Sequence, residues 1–255
     1  WCEISLNGPV PGDLRLMSSV TVVYALLFYA ATAILIVGLG LKIMQYWQTP
    51  QPLKIPVTPA PMTGSGVVSR LFSEVVFFKS LFKSNKWIWL FGWVFHAALA
   101  VALLRHFRYF TDPVWDWVVL VQPFGVYAGF AMMLGLAGLL LRRFVVPRVR
   151  YITSPSDILF LVLLLAIGAS GLSMKYVAPT DIIALKAFIL GLMYFDWQPL
   201  PGDANLLIHL GLVITLMIVF PFSKLLHAPG LFFSPARNQP DDVRTKRHPG
   251  AYEAQ

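Results

Sequence analysis

The sequence predicts an all-α integral membrane protein built as a bundle of five transmembrane helices. Of its 255 residues, 57% are hydrophobic and only 13% are charged, and its mean hydropathy is +0.69. In addition, the apolar residues fall into runs long enough to cross a bilayer. Soluble domains are usually about 45–50% apolar and about 25% charged. A soluble fold is therefore excluded, because this chain has too few polar side chains to cover its own surface.

Five runs reach the roughly 20 apolar residues that a bilayer-spanning helix requires. Tryptophan and tyrosine side chains lie near several ends of these runs, as they do in the interfacial belts of membrane proteins. The predicted spans are Val20 to about Tyr46, Trp87 to about Phe110, about Val114 to Leu141, Ile158 to Val177, and Ala204 to about Leu226.

The basic residues predict the orientation of these spans. They concentrate between the first and second spans, between the third and fourth, and after the fifth, whereas the remaining segments carry fewer basic residues beside several acids. Cytoplasmic loops carry the excess of Lys and Arg, so we expect the N-terminus outside and the C-terminus in the cytoplasm. Because the basic residues are divided among these loops, the net charge of +8 does not indicate nucleic-acid binding.

Two further segments are predicted to lie at the membrane surface. Residues about 67–82 alternate apolar and charged side chains at helical spacing, which is typical of an amphipathic helix on the cytoplasmic face. The apolar stretch from Asp181 to Phe195 is too short to cross, and Pro199 and Pro201 follow it. We interpret it as an outer interfacial helix, since a crossing here would reverse the fifth span against the charge distribution.

The chain divides into three parts. We interpret residues 1–16 as an N-terminal extension of unclear origin without the features of a signal peptide, 17–228 as the membrane domain, and 229–255 as a cytoplasmic tail. The single cysteine, Cys2, excludes a disulfide framework, a cysteine-ligated iron–sulfur cluster and a covalently attached c-type haem.

Four of the five histidines lie within or at the ends of the second and fifth spans, and His248 is interpreted as a solvated tail residue. Ionisable groups are costly in hydrocarbon, so each of the four is a candidate functional residue. A lone histidine in such a place is more often a hydrogen-bonded core residue. Two on each of two helices favour a shared function, and the four are His96, His106, His209 and His227.

Their spacing predicts two pairs. His96 and His106 are separated by a helical rise of about 15 Å, and His209 and His227 by about 27 Å, which is five full turns. The second and fifth spans run antiparallel, so His106 faces His209 near the outer surface and His96 faces His227 near the cytoplasm. Each pair would hold one b haem between the second and fifth helices. Pro221 is the candidate kink that absorbs the difference between the two rises.

Other residues near these pairs have two interpretations that the sequence leaves open. Glycines on the third, fourth and fifth spans either make room for a flat macrocycle or allow close helix packing. Polar residues near the outer surface either contact haem propionates or quinone, or are solvated interfacial residues. The glycines are Gly125, Gly129, Gly135, Gly138, Gly168, Gly171 and Gly211, and the polar residues are Arg105, Arg108, Asp112, Lys175 and Asn205.

The histidine pattern resembles the gamma subunit of respiratory nitrate reductase, a dihaem cytochrome b. A stronger resemblance is to the M subunit of the Dsr membrane complex of dissimilatory sulfur metabolism, and the membrane subunit of heterodisulfide reductase belongs to the same broad group. The resemblance to the Dsr M subunit is carried by the segments SGLSMKYV, DIIALKAFILGL and, above all, LIHLGLVITLMIVFPFSKLLHAPGLFFSPARNQ. The resemblance covers about Val20 to Gln239 and is most specific from Ile208 onward.

The resemblance implies that residues 17–228 form a dihaem cytochrome b domain whose two haem b groups are ligated by His96, His106, His209 and His227. It implies electron transfer between menaquinol or ubiquinol and a cytoplasmic, heterodisulfide-reductase-like iron–sulfur subunit, in a bacterial cytoplasmic membrane. Partners would include other membrane and periplasmic subunits, among them a multihaem cytochrome c. In the nitrate-reductase relatives a lysine near the outer haem contributes to the quinol site, and the matching loop here, Arg108 to Trp117, has none.

Two alternatives from other functional classes remain. A histidine-based transporter or proton channel without haem would use the histidines as a relay, although no internal repeat is evident and no Asp or Glu lies in the interior of a span. A structural anchor for a soluble enzyme would hold one haem or none. The sequence leaves open the direction of electron flow and whether the chain is an enzyme by itself.

Overall fold

The computed structural model describes residues 18–50, 56 and 58–242, and within these residues the chain forms helices and turns without a strand. Predictions for residues 1–17, for His248 and for the rest of the tail after residue 242 lie outside the described residues. The helices are α1 (Ser19–Gln48), α2 (Gly64–Phe77), α3 (Lys79–Ser84), α4 (Lys86–His106), α5 (Asp116–Val145), α6 (Pro147–Ile152), α7 (Pro155–Tyr176), α8 (Ile182–Tyr194), α9 (Ala204–Val219), α10 (His227–Phe233) and α11 (Pro235–Asn238).

Five of these segments are long and apolar enough to cross a membrane, which confirms the predicted number of spans. They are α1, α4 with the short 3-10 turn that follows it, α5, α7, and the run from Ala204 to Asn238. Large apolar side chains on them are exposed, as lipid contact requires; Leu134 on α5 is 66% exposed and Ile36 on α1 is 65% exposed. The protein is therefore a multi-pass membrane protein.

Polar side chains at the start of several helices explain where those helices begin. Asn85 accepts a hydrogen bond from the backbone N–H of Ile88 before α4, and Asp181 accepts from Ile183 before α8. Such caps satisfy backbone donors that have no partner inside the helix. The segment predicted to be an outer interfacial helix is α8, whose 13 residues are too few to cross a bilayer.

Close packing of α4, α5 and α7 rests on small residues. A methyl group in place of a hydrogen on Gly135 would lie 2.9 Å from the backbone of Phe91 and Phe95, and one on Gly129 would lie 2.8 Å from Leu172. Of the two interpretations of the glycines, close helix packing is what the structure shows for Gly125, Gly129, Gly135, Gly138 and Gly168.

A second packing unit joins α1, α8 and α9. Ala25, Phe188 and Leu206 are completely buried where these helices meet. The phenol groups of Tyr24 and Tyr29 on α1 donate to the carbonyls of Leu207 and Leu192, each at 2.8 Å. The start of α1 is thereby attached to α8 and to the first half of α9, which carries one of the candidate histidines.

The fifth span is broken, so His209 and His227 do not lie on one continuous helix. Helix α9 ends at Val219, a 3-10 turn follows at Phe220–Phe222, and α10 begins only at His227. Pro221 lies in this turn, where its missing N–H and its ring prevent an α-helix from continuing. The predicted role of Pro221 as the point of distortion is confirmed.

The segment predicted to be one amphipathic helix is two. Phe78 separates α2 from α3 with φ 49°, in the left-handed region that residues other than glycine seldom occupy. The indole N–H groups of Trp89 and Trp93 on α4 donate to the carbonyls of Phe77 and Val76, at 2.7 and 2.9 Å. These bonds satisfy acceptors freed at the end of α2 and hold it against α4.

The described part of the tail packs back on α2 and α3. The guanidinium of Arg237 on α11 lies 3.2 Å from the Glu74 carboxylate and 2.7 Å from the Ser80 hydroxyl. Burial raises the pKa of Glu74, but hydrogen bonds from Ser80 and the charges of Arg237 and Arg70 outweigh it and hold this pKa below its ordinary value. The backbone N–H of Asp241 also donates to the carbonyl of Pro61 at 2.9 Å, so the tail as far as this residue belongs to the folded unit.

Candidate functional site

The structure brings His96 and His227 together. Their ring centroids lie 5.7 Å apart, and the ring planes are nearly perpendicular at 89°. His96 lies at the middle of α4, and His227 is the first residue of α10, so the break after α9 places the second histidine beside the first. We call this end of the bundle the His227 end.

His106 and His209 are the other two candidate histidines. His106 is the last residue of α4, and His209 lies in the second turn of α9. His209 is only 9% exposed, whereas His106 lies at the surface. We call this the His209 end. The contact between His96 and His227 agrees with one of the two pairs predicted from spacing, and that His106 and His209 form the other stays a prediction.

Hydrogen bonds determine the tautomers of His96 and His106. The Nδ1 atom of His96 lies 2.7 Å from the carbonyl oxygen of Gly92, and that of His106 lies 2.6 Å from the carbonyl oxygen of Ala102. A carbonyl oxygen only accepts, so Nδ1 carries the proton and Nε2 keeps its lone pair. This is how a neutral histidine that binds a metal through Nε2 is usually oriented.

In His209 a hydrogen bond to a side chain, not to a backbone carbonyl, accounts for the same tautomer. Its Nδ1 lies 2.9 Å from the hydroxyl oxygen of Ser170 on α7, and that hydroxyl donates to the carbonyl of Ile167 at 3.0 Å. Because the single hydroxyl proton is used in the second bond, His209 must be the donor in the first. Gly171 leaves space for the ring, since a methyl group there would lie 3.4 Å from Cε1. The spacing of the histidines gave no indication of Ser170.

Aromatic side chains surround His96. Phe95 and Phe78 contact its ring edge-on, with centroids at 4.7 and 5.1 Å. Phe78 is the left-handed residue between α2 and α3, so the break in the predicted amphipathic helix brings this ring to the site. These contacts give His96 an apolar environment.

Electrostatic contacts hold the linker that precedes His227. The Lys224 ammonium lies 3.0 Å from one carboxylate oxygen of Asp157, and the Arg143 guanidinium lies 3.5 Å from the other. The Asp157 side chain is 10% exposed, and it joins the end of α5, the start of α7 and the linker. The sequence analysis did not predict this contact. Ser154 and Asp157 form a recognisable capping box, but no local sequence pattern indicates Lys224 as the partner of Asp157.

A cavity of about 320 Å³ opens beside His227, between the end of α1 and the linker. Lys42, Tyr46 and Lys224 line it together with the histidine. The cavity therefore combines two basic side chains with an imidazole.

Three of the polar candidates at the His209 end have a contact with a neighbouring residue. The Arg105 side chain packs over Gly125. The Arg108 guanidinium lies 5.2 Å from the ring centroid of Tyr109, and the Lys175 ammonium lies 5.4 Å from that of Tyr176. Asn205 is half-buried in the first turn of α9.

Asp112, the remaining candidate, forms an ion pair with Lys186 of α8 at 2.8 Å. Lys186 was not predicted as a site residue. Helix α8 thus supplies a lysine to the loop between α4 and α5, which has none in its own sequence.

The donor set fits a metal held by imidazoles. The rings of His96 and His227 are in contact, with centroids 5.7 Å apart, and the Nδ1 bond of His96 leaves its Nε2 for a metal. Among the described residues there is no group of three or more His, Cys, Asp or Glu side chains that could hold a metal.

Comparisons with known proteins find relatives that match most of the chain. The chain is 35% identical to the Hdr-like menaquinol oxidoreductase cytochrome b-like subunit of Archaeoglobus fulgidus, over 86% of this chain and 80% of the relative. It is 32% identical to the protein of the same description from Archaeoglobus profundus, over 91% of this chain and 83% of the relative.

A more distant relative is the respiratory nitrate reductase 1 gamma chain of Escherichia coli. It is 31% identical over 52% of this chain and 68% of the relative. The family model of the nitrate reductase gamma subunit matches residues 79–238, which include both histidine pairs. Since this match covers more than half of the chain, the protein belongs to the nitrate reductase gamma subunit family.

Proposed function

We propose that the protein is a dihaem b-type membrane cytochrome that transfers electrons between menaquinol and an iron–sulfur partner. The observation that carries this proposal is the set of four histidines, of which His96 contacts His227 and three have Nδ1 in a hydrogen bond and Nε2 left for a metal. Two relatives are described as subunits of a menaquinol oxidoreductase, which favours menaquinol over ubiquinol.

In this proposal His106 and His209 hold one haem b, and His96 and His227 hold the other. Bound haem supplies the one-electron chemistry, and the protein supplies position and redox tuning. Phe78 and Phe95 keep His96 in apolar surroundings. Lys42 and Lys224 line the cavity beside His227, and they are the basic side chains suited to the propionate carboxylates of the haem proposed there.

Menaquinol would be oxidised at the His209 end, which we place on the outer side. Oxidation of a quinol to a quinone releases two protons and two electrons, so this end must offer a route for protons to water. The Asp112 side chain is 69% exposed and its partner Lys186 is 24% exposed, which makes this ion pair the candidate for proton release. Arg105, Arg108, Lys175 and Asn205 are the further polar residues proposed to contact quinone or propionates.

The iron–sulfur partner would bind at the His227 end, on the cytoplasmic side. This end presents basic side chains on α3 and α6, and Tyr151 on α6 is 91% exposed. The relatives are described as Hdr-like, which supports a cytoplasmic subunit similar to heterodisulfide reductase. We further propose a respiratory complex of dissimilatory sulfur metabolism with other membrane subunits and a multihaem cytochrome c outside.

The test is rapid mixing of a soluble menaquinol analogue with the purified complex while the haem absorption is recorded. The wild-type protein is expected to show two reduction phases, because electrons enter at one pair and pass to the other. His227→Ala should keep the first phase and lose the second, whereas His106→Ala should lose both.

Thr215→Ala, at an exposed position of α9, is the matched control and should keep both phases. Haem reduction by the quinol that is equal in the wild type and both histidine variants would overturn the proposal. Haem-independent proton flux in liposomes would instead support the histidine-based transporter or channel.

A further inference from the structure

Among the three histidines with a hydrogen-bonded Nδ1, His209 is oriented in a way the other two are not. His96 and His106 each bond to the carbonyl four residues earlier in their own helix, so α4 alone orients them. His209 bonds instead to a hydroxyl on α7, thirty-nine residues away in the chain. The angle of its ring therefore depends on how α7 and α9 pack.

Ser170 forms a two-bond chain with a fixed direction. His209 donates to the hydroxyl, and the hydroxyl donates to the carbonyl of Ile167 within α7. A hydroxyl that is itself a donor is polarised, and it becomes a better acceptor for the imidazole N–H. A better acceptor at Nδ1 raises the basicity of Nε2, the nitrogen left for a metal.

The surroundings offer this bond one substitute, the carbonyl of Ile167 that now accepts from the Ser170 hydroxyl. His209 is 9% exposed, and its Cε1 lies against Gly171, the residue after Ser170. Without the hydroxyl, the buried N–H of His209 would have to turn toward that carbonyl, and the ring would leave its present angle.

We propose that Ser170 is a positioning residue that fixes the tautomer and ring angle of His209 and thereby lowers the redox potential of the haem at the His209 end. This inference rests on the proposed function, because it concerns the haem held by that pair. A more basic axial imidazole stabilises the oxidised iron more than the reduced iron, so loss of the hydroxyl raises the midpoint potential.

The size of the effect follows from the behaviour of such outer partners of metal ligands. Their loss typically weakens metal binding 10–100-fold. A tenfold loss confined to the oxidised form raises a one-electron potential by about 59 mV. The haem held by His96 and His227 should keep its potential.

The experiment is an optical redox titration of the purified complex, with haem content and the low-spin iron resonance signals measured on the same samples. In Ser170→Ala we expect either an upward shift of one of the two potentials with a change in one resonance signal, or selective loss of one haem. Ser170→Thr keeps the hydroxyl and should restore the wild-type values. Ser173→Ala, which removes a hydroxyl one turn later on α7, is the matched control and should resemble the wild type.

Two results would overturn the inference. The first is a Ser170→Ala variant with two haems and unchanged potentials and signals. The second is a Ser170→Thr variant with the same change as Ser170→Ala, because the hydroxyl would then not be the cause. Absence of haem from the wild-type protein would be recognised in the same samples as failure of the proposed function itself.

Discussion

Gly135 lets α5 approach the backbone of α4, and Gly135→Ala tests how far the site depends on that contact. The new methyl group would lie 2.9 Å from the carbonyl oxygen of Phe91 and 2.9 Å from the backbone nitrogen of Phe95. Comfortable contacts between heavy atoms are about 3.5–4.0 Å, so the two helices must separate locally. Both are backbone atoms, which cannot move aside as the end of a flexible side chain would.

The change in the free energy of unfolding combines two opposing effects. Overpacking of a tight contact costs about 1–3 kcal/mol, and alanine in a helix is favoured over glycine by about 0.5–1 kcal/mol. The net result is a loss of about 1–2 kcal/mol of unfolding free energy. At about 2–4 °C per kcal/mol for a chain of this size, we expect the unfolding midpoint to fall by about 2–8 °C. Because Phe95 contacts His96, haem should be lost from this pair first.

The assay is thermal unfolding of the purified protein, followed by tryptophan fluorescence and haem absorption. Gly40→Ala on α1 is the matched control, since a methyl group there meets no atom within 4 Å. It should leave the midpoint unchanged or raise it. A Gly135→Ala protein as stable as Gly40→Ala would refute the packing argument.

Two further predictions concern electrostatic contacts at the His227 end. Asp157→Ala removes the carboxylate that holds Lys224. We expect the free energy of unfolding to fall by about 1–2 kcal/mol, because Lys224 is 67% exposed and its charge-assisted bond is partly screened. Thermal unfolding would measure this loss, and unchanged stability and haem content would contradict the prediction. Since the pKa of Glu74 is lowered in the folded state, its ion pair with Arg237 should be intact above the ordinary glutamate pKa of about 4.3 and lost as the pH falls through the lower, folded-state value. Hydrogen exchange of residues 234–242 should rise over that window, and a Glu74→Gln protein with the same pH profile would contradict the assignment.

The features that the sequence predicts well are those with a local cause. Every backbone donor and acceptor in a bilayer must be satisfied within its own segment, so apolar runs of sufficient length identify helices reliably. Pro221 marks the break in the fifth span because proline acts on its own turn. The pairing of the histidines followed from the alternating direction of consecutive spans.

The features that could not be predicted depend on contacts between distant segments. Phe78 occupies a left-handed conformation that its own side chain disfavours, and contacts with α4 on either side of it explain the division of α2 from α3. The bonds from Ser170 to His209 and from Lys224 to Asp157 join residues 39 and 67 positions apart. Similar serines and lysines elsewhere in the chain carry the same local signal, so only the packed structure selects these partners.

The measurement that tests the central claim most directly is the haem content per polypeptide, determined by pyridine haemochrome and by a reduced-minus-oxidised spectrum. The account predicts two b haems in the wild-type protein and one in each of His106→Ala and His227→Ala, with different haem spectra remaining in the two variants. A purified wild-type protein without b haem, or variants that keep both haems, would contradict it.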